Sequence, residues 1–88
     1  MRSTWPRTYE AFVRALIDAR NSAGLTQREL AIRIKKPQSF VAKNENGQRR
    51  LDLAEFLEIL YRSGAKVPET LAMLIRKTHL DVRYRSRT

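Results

Sequence analysis

The chain has 88 residues and carries 18 Lys and Arg against nine Asp and Glu, a formal net charge of +9 at pH 7. It has no cysteine and a single histidine, His79, which excludes disulfides and thiolate metal sites and leaves no paired spacing for a structural zinc ion. No apolar run approaches the ~20 residues that span a bilayer, and Arg2 and Arg7 flank no apolar leader segment, so we expect a cytoplasmic protein of one small domain with a modest core.

Five helices are expected in chain order. The first covers about Arg7 to Ala23, where Phe12, Leu16 and Ala19 recur at helical spacing and Tyr9, Val13 and Ile17 widen the apolar stripe; Gly24 supplies a stop. The second begins behind Thr26. Glu29 lies three residues on, which makes a Thr-x-x-Glu capping box, and Leu30, Ala31 and Ile34 give the helix its core face. It ends near Ile34 or Lys35, because Pro37 disfavours a helical residue before it. The third starts at Pro37, suited to a first turn, and runs to about Glu45. Phe40 and Val41 point inward or sideways, Gln38, Ser39 and Lys43 share an outer face, and Asn46-Gly47 ends it.

Asp52 and Glu55 repeat the capping logic for a fourth helix, with Phe56, Leu57 and Leu60 as its stripe, Leu53 and Ile59 nearby, and Ser63-Gly64 as its close. A fifth runs from Pro68 to about Lys77, with Leu71, Leu74 and Ile75 apolar. The fold class is therefore all-α. Residues 1–79 form the domain. Residues 80–88 are a basic tail in which Leu80, Val82 and Tyr84 alternate with Asp81, Arg83 and Arg85, a pattern that reads either as a short strand or as disorder. Trp5 packs on the fifth helix or mediates a subunit contact.

A capped helix, a tight basic turn and a second polar-faced helix form the arrangement that places side chains in a DNA major groove. Charge distribution agrees with this. Arg33, Lys35, Lys36, Lys43, Arg49 and Arg50 stand against Glu45 alone between positions 33 and 50, whereas the next helix carries Asp52, Glu55 and Glu58. From charge alone, Arg49 and Arg50 are the strongest phosphate candidates.

Leu25-Thr26-Gln27-x-Glu29-Leu30-Ala31 and Ser39-x-Val41-x-Lys43-x-Glu45-Asn46-Gly47 resemble the Cro and phage-repressor-like helix-turn-helix family, the Xre family, over roughly Leu16 to Gly64. The resemblance implies a five-helix domain whose second and third helices form the DNA-binding unit. It also implies a transcriptional regulator, usually a repressor acting as a homodimer on a palindromic operator. By the same resemblance Gln38, Ser39 and Lys43 contact bases. Gln27 and Asn46 contact phosphate, joined by Arg28, Lys36, Gln48, Arg49 and Arg50. Arg20 and Glu45 form an ion pair between the first and third helices. Capping is the competing role for Ser39 and for Asn46.

Three positions depart from the family pattern. Lys35 replaces the usual turn glycine, so either the turn differs or the lysine is retained for its charge. Pro37 stands where a Ser or Thr cap is common. Asn44 replaces an inward-packing apolar residue, and a buried Asn must find partners or the helix must shift locally.

Two functions compete. The first is the dimeric repressor, with Leu71, Leu74, Ile75, Val82 and Tyr84 as the dimer surface unless helix five simply completes the monomer core. The second is an antitoxin that binds DNA and masks a toxin through the segment after Gly64. Neither needs a cofactor or a metal, and no nucleophile–base pair or phosphate-binding glycine loop suggests an enzyme.

Overall fold

The computed structural model describes residues 6–78, except for the side chains of Ile75, Lys77 and Thr78. Trp5, His79, Val82, Tyr84 and the rest of the tail lie outside the described residues. Five α-helices follow one another: α1 (Arg7–Ser22), α2 (Gln27–Ile34), α3 (Gln38–Glu45), α4 (Leu53–Arg62) and α5 (Val67–Thr78). Among the described residues none is long and apolar enough to cross a membrane.

The starts of α2 and α4 have a local cause. The Thr26 side chain accepts the Glu29 N–H at 3.0 Å while the Glu29 carboxylate accepts the Thr26 N–H at 2.8 Å. Asp52 and Glu55 repeat this reciprocal pair at α4, at 2.7 and 3.1 Å, so two orphan donors are satisfied at each helix entrance. Pro37 is the N-cap of α3 and not its first helical residue; it is extended at φ −64°, ψ 154°, and no side chain caps this helix. Ser39 therefore spends no hydroxyl on capping.

The turn between α2 and α3 is closed at its lysine. Lys35 adopts the left-handed conformation, φ 60° and ψ 45°, and is the one non-glycine residue with positive φ among those described. Its N–H reaches the Ile32 carbonyl at 3.2 Å and the Lys36 N–H reaches that of Ala31 at 3.0 Å, the paired bonds of a Schellman ending. The turn keeps the geometry that a glycine would have adopted, and the lysine bears the strain.

The core joins all five helices. Val13, Leu30, Leu60 and Leu74 are essentially inaccessible, and Phe12 and Phe56 meet at 5.4 Å between ring centroids. α2 packs on α3 and α4, and α5 packs on α1 and α4. Two expectations need correction. On α4 the buried residues are Phe56, Ile59 and Leu60, whereas Leu57 is 36% and Leu53 71% exposed. Its inward face is rotated toward Ile59 and the buried Ser63, whose hydroxyl donates to the Ile59 carbonyl at 2.8 Å. On α5, Leu74 is only 1% exposed and Leu71 packs against the core. Leu74 is used inside the monomer and is not available to a partner, which also leaves less of the segment after Gly64 for a toxin.

The strain at Lys35 is measurable. Lys35→Gly should raise stability by about 1 kcal/mol, because glycine enters the left-handed region without a Cβ penalty. Chemical denaturation of the two proteins checks this, and an unchanged or lower midpoint would mean that the lysine is not strained.

Candidate nucleic-acid interface

α3 has two sides of different character. Val41 and Asn44 are buried, and Gln38, Ser39 and Lys43 are exposed. Because residues four apart share a helix face, Ser39 and Lys43 line up on the outer side, with Gln38 beside Ser39 at the N-terminal end. Arg28 at the start of α2 and Lys36 in the turn are exposed as well. At the far end, Asn46 is the C-cap of α3. Its Oδ1 accepts the Gln48 N–H at 3.0 Å and its Nδ2 donates to the Gln48 side-chain oxygen at 3.2 Å. The Gln48 N–H also reaches the Lys43 carbonyl at 2.9 Å, and Gly47 sits at φ 84°. Asn46 thus closes the helix and shapes the loop that carries Gln48, Arg49 and Arg50.

Behind this face lies an ion pair. Arg20 on α1 grips Glu45 on α3 with a fork, Nε to Oε2 at 2.6 Å and Nη2 to Oε1 at 2.9 Å, and its Nη1 donates to the Leu25 carbonyl at 2.8 Å. The two side chains are 12% and 13% exposed. Gln27, at the first position of α2, donates its amide to the same Glu45 carboxylate at 2.9 Å. The entrance of α2 and the exit of α3 are therefore fastened to each other and to α1.

A helix-turn-helix family model matches residues 16–60, just over half the chain. A solved structure of an XRE-family like protein from Pseudomonas syringae pv. tomato str. DC3000 superposes with a TM-score of 0.77, at 43% identity over 82% of this chain and 88% of that one. A comparison with curated proteins gives no match. The chain belongs to the XRE helix-turn-helix family. This is a family of DNA-binding transcription regulators, and the exposed face of α3 is its candidate recognition surface.

In this XRE-family chain the expected phosphate contacts fall into two groups. Arg28, Lys36, Gln48 and Arg50 are exposed, with Arg50 lying over the Tyr9 ring at 4.9 Å. Gln27, Asn46 and Arg49 are engaged by protein groups: Gln27 by Glu45, Asn46 by Gln48, and Arg49 by Glu55 through Nη1–Oε1 and Nη2–Oε2 at 2.9 and 2.8 Å. Sequence reasoning missed three participants here. Glu55 was legible as a capping residue but not as the partner of Arg49. Phe40, placed only as inward or sideways, lies under both Arg49, at 4.7 Å, and Lys36, at 5.4 Å. Tyr9, read as part of an apolar stripe, accepts the Leu51 N–H with its hydroxyl at 2.9 Å. All three act across loops, where helical periodicity carries no signal.

The Arg49 fork holds the Glu55 carboxyl below the ordinary carboxylate range, assisted by the Asp52 N–H and opposed by desolvation. A depressed carboxyl contributes stability that is present in full above its unfolded value and is lost as pH falls through the folded one. Glu55→Gln should therefore flatten the acid limb of a pH–stability curve below the ordinary carboxylate range while leaving its shape above neutrality unaltered. An unchanged acid limb in thermal melts would remove Glu55 from the pairing. Glu45 is the stiffer test. Glu45→Ala strands Arg20 in a largely buried site and should cost about 3 kcal/mol in denaturant titrations; a loss under 1 kcal/mol, the scale of an exposed pair, would mean that this pair does not organise the fold.

Proposed function

We propose that the chain is a sequence-specific regulator of transcription, a repressor that acts as a homodimer on a palindromic operator in double-stranded DNA. One observation carries the reading: α3 has buried anchors on one side, and three side chains suited to base edges, Gln38, Ser39 and Lys43, are exposed on the other. Gln38 pairs with adenine through two bonds, Ser39 accepts or donates to several bases, and Lys43 reaches guanine acceptors. Arg28, Lys36 and Arg50 neutralise phosphates, Gln48 donates a hydrogen bond to one, and together they set the register of the domain on the duplex without reading sequence.

Pairing follows from contact number, because one such unit reads only one half-site. An apolar stripe on α4, with Leu53 and Tyr61 71% and 69% exposed and Leu57 between them, supports a second copy as the partner. Repression then needs no further chemistry, since a dimer seated on its operator occludes the DNA.

Selection of bound sequences from a random duplex library at near-physiological salt tests the proposal. An enriched inverted repeat is expected, and its half-site spacing reports the dimer geometry. Salt-sensitive binding with no enrichment would overturn sequence-specific recognition. On the selected duplex, Gln38→Ala should lose about 1–3 kcal/mol while non-specific binding persists. Arg50→Ala should weaken both and reduce the salt slope by about one unit. If Gln38→Ala leaves base preference intact, Gln38 does not face the base edges and α3 enters the groove in another register.

A further inference from the structure

Arg49 carries its charge in the loop that would run along the DNA backbone, yet its guanidinium, on a side chain 40% exposed, is already paired. The two short bonds to Glu55, at 2.9 and 2.8 Å, form a fork. Nη1 also lies 3.3 Å from the Asn44 side-chain oxygen and 3.4 Å from the Arg50 carbonyl, longer contacts that share its remaining hydrogen. The guanidinium lies over the Phe40 ring, 4.7 Å from the centroid. One side chain thus touches the first turn of α3 through Phe40, its last turn through Asn44, and the entrance of α4 through Glu55. Glu55 is itself fixed there, because it accepts the Asp52 N–H at 3.1 Å and its own N–H is held by Asp52 at 2.7 Å.

Asn44 makes this arrangement consequential. It is 3% exposed in an otherwise apolar setting, and its Nδ2 has no hydrogen-bond partner among the described residues. Its Oδ1 depends on Arg49. If the guanidinium left for a phosphate, that oxygen would lose the Arg49 bond, Glu55 would keep a carboxylate only 25% exposed without its cation, and Phe40 would lose its stacked neighbour. Each loss opposes the exchange.

We infer that Arg49 and Glu55 are positioning residues for base recognition: their fork sets the orientation of α3 against α4, and Arg49 is not a phosphate contact. The inference rests on the reading of α3 as the recognition helix. It assigns the specificity of this surface partly to two residues that touch no base.

Lysine in place of Arg49 keeps the charge but has neither the planar fork nor the stack. Binding is measured with the full chain on its selected duplex and on a scrambled duplex of equal length, over a salt series and below the melting temperature of every variant. Arg49→Lys should lower affinity for the selected duplex on the order of tenfold while leaving scrambled-duplex affinity and salt slope unchanged. Glu55→Gln should reproduce that loss, and the double variant should be no worse than either single one, because both break the same strut. If Glu55→Gln melts below the assay temperature, Glu55→Asp takes its place with the same expectation, since it keeps the charge and shortens the reach. A phosphate-contacting Arg49 restrained by Glu55 gives the opposite pattern. Glu55→Gln would then tighten both duplexes and steepen the salt slope by about one unit, and Arg49→Lys would leave preference intact; either result overturns the inference. A wild-type chain that prefers no duplex overturns the recognition-helix reading as well, and that outcome is visible before any variant is made.

Discussion

The carboxylate of Glu45 is the constraint on which the candidate recognition surface depends. It lies at the C-terminal end of α3, where the helix dipole opposes a negative charge, and it is 13% exposed. Alone, a charge in such a place would be costly. It persists because three donors converge on it: two from Arg20 on α1 and one from Gln27 at the entrance of α2. The same bonds that make the charge tolerable fix three helices relative to one another. The cost of burying Glu45 and the rigidity of the helix-turn-helix unit are thus two aspects of one arrangement.

The rest of the electrostatic pattern follows from which charges the fold consumes. Arg20 and Arg49 are tied to carboxylates, Arg62 pairs with Glu58 one turn back at 2.8 Å, and Arg33 donates to the Arg62 carbonyl at the end of α4, where a cation is favoured. Arg28, Lys35, Lys36, Lys43 and Arg50 remain exposed on α2, α3 and their connections. Glu55 and Glu58 on α4 bind Arg49 and Arg62, and Glu45 on α3 binds Arg20, so each of these carboxylates is matched to one cation and leaves the exposed ones unpaired. Net charge alone does not predict this partition; it depends on which cations find a partner.

Much of the fold was legible in the chain because it is encoded locally. The two capping boxes, the glycine after α1 and the Asn46-Gly47 ending are interactions within six residues, and the helices begin and end within two residues of where these signals put them. What failed was non-local. On α4 the apolar residues cover more than one face, so periodicity could not decide between Leu57 and Ile59; packing against α2 on one flank and α5 on the other decides it. Surplus apolar residues on α5 suggested a dimer surface, but Leu74 is consumed by the monomer core, which pattern cannot distinguish from an interface. In the candidate site, the outward position of Gln38, Ser39 and Lys43 follows from helical geometry. The commitment of Arg49 to Glu55 spans a loop, and no local rule chooses that carboxylate over another.

α3 has only eight residues, a glutamine as its first helical residue and no side-chain cap, far short of the ~12–15 residues at which an isolated helix becomes marginally stable. Its helicity and its orientation are therefore tertiary properties. Three attachments supply them: the left-handed Lys35 turn at its start, the Arg20–Glu45 pair at its end, and the Arg49–Glu55 fork at its side. Two of the three involve a residue that local rules disfavour, a lysine at positive φ and a buried Asn44 with an unpaired amide. Both sit within the helix-turn-helix unit, Lys35 in its turn and Asn44 on the buried side of α3. Such local conflicts concentrate where function competes with stability. In this unit lysine keeps a cation in the turn at the expense of backbone strain, and Asn44 gives Arg49 a polar anchor at the expense of apolar packing. The scaffold can sustain both because Val13, Leu60 and Leu74, on the helices outside this unit, are packed almost without exposure.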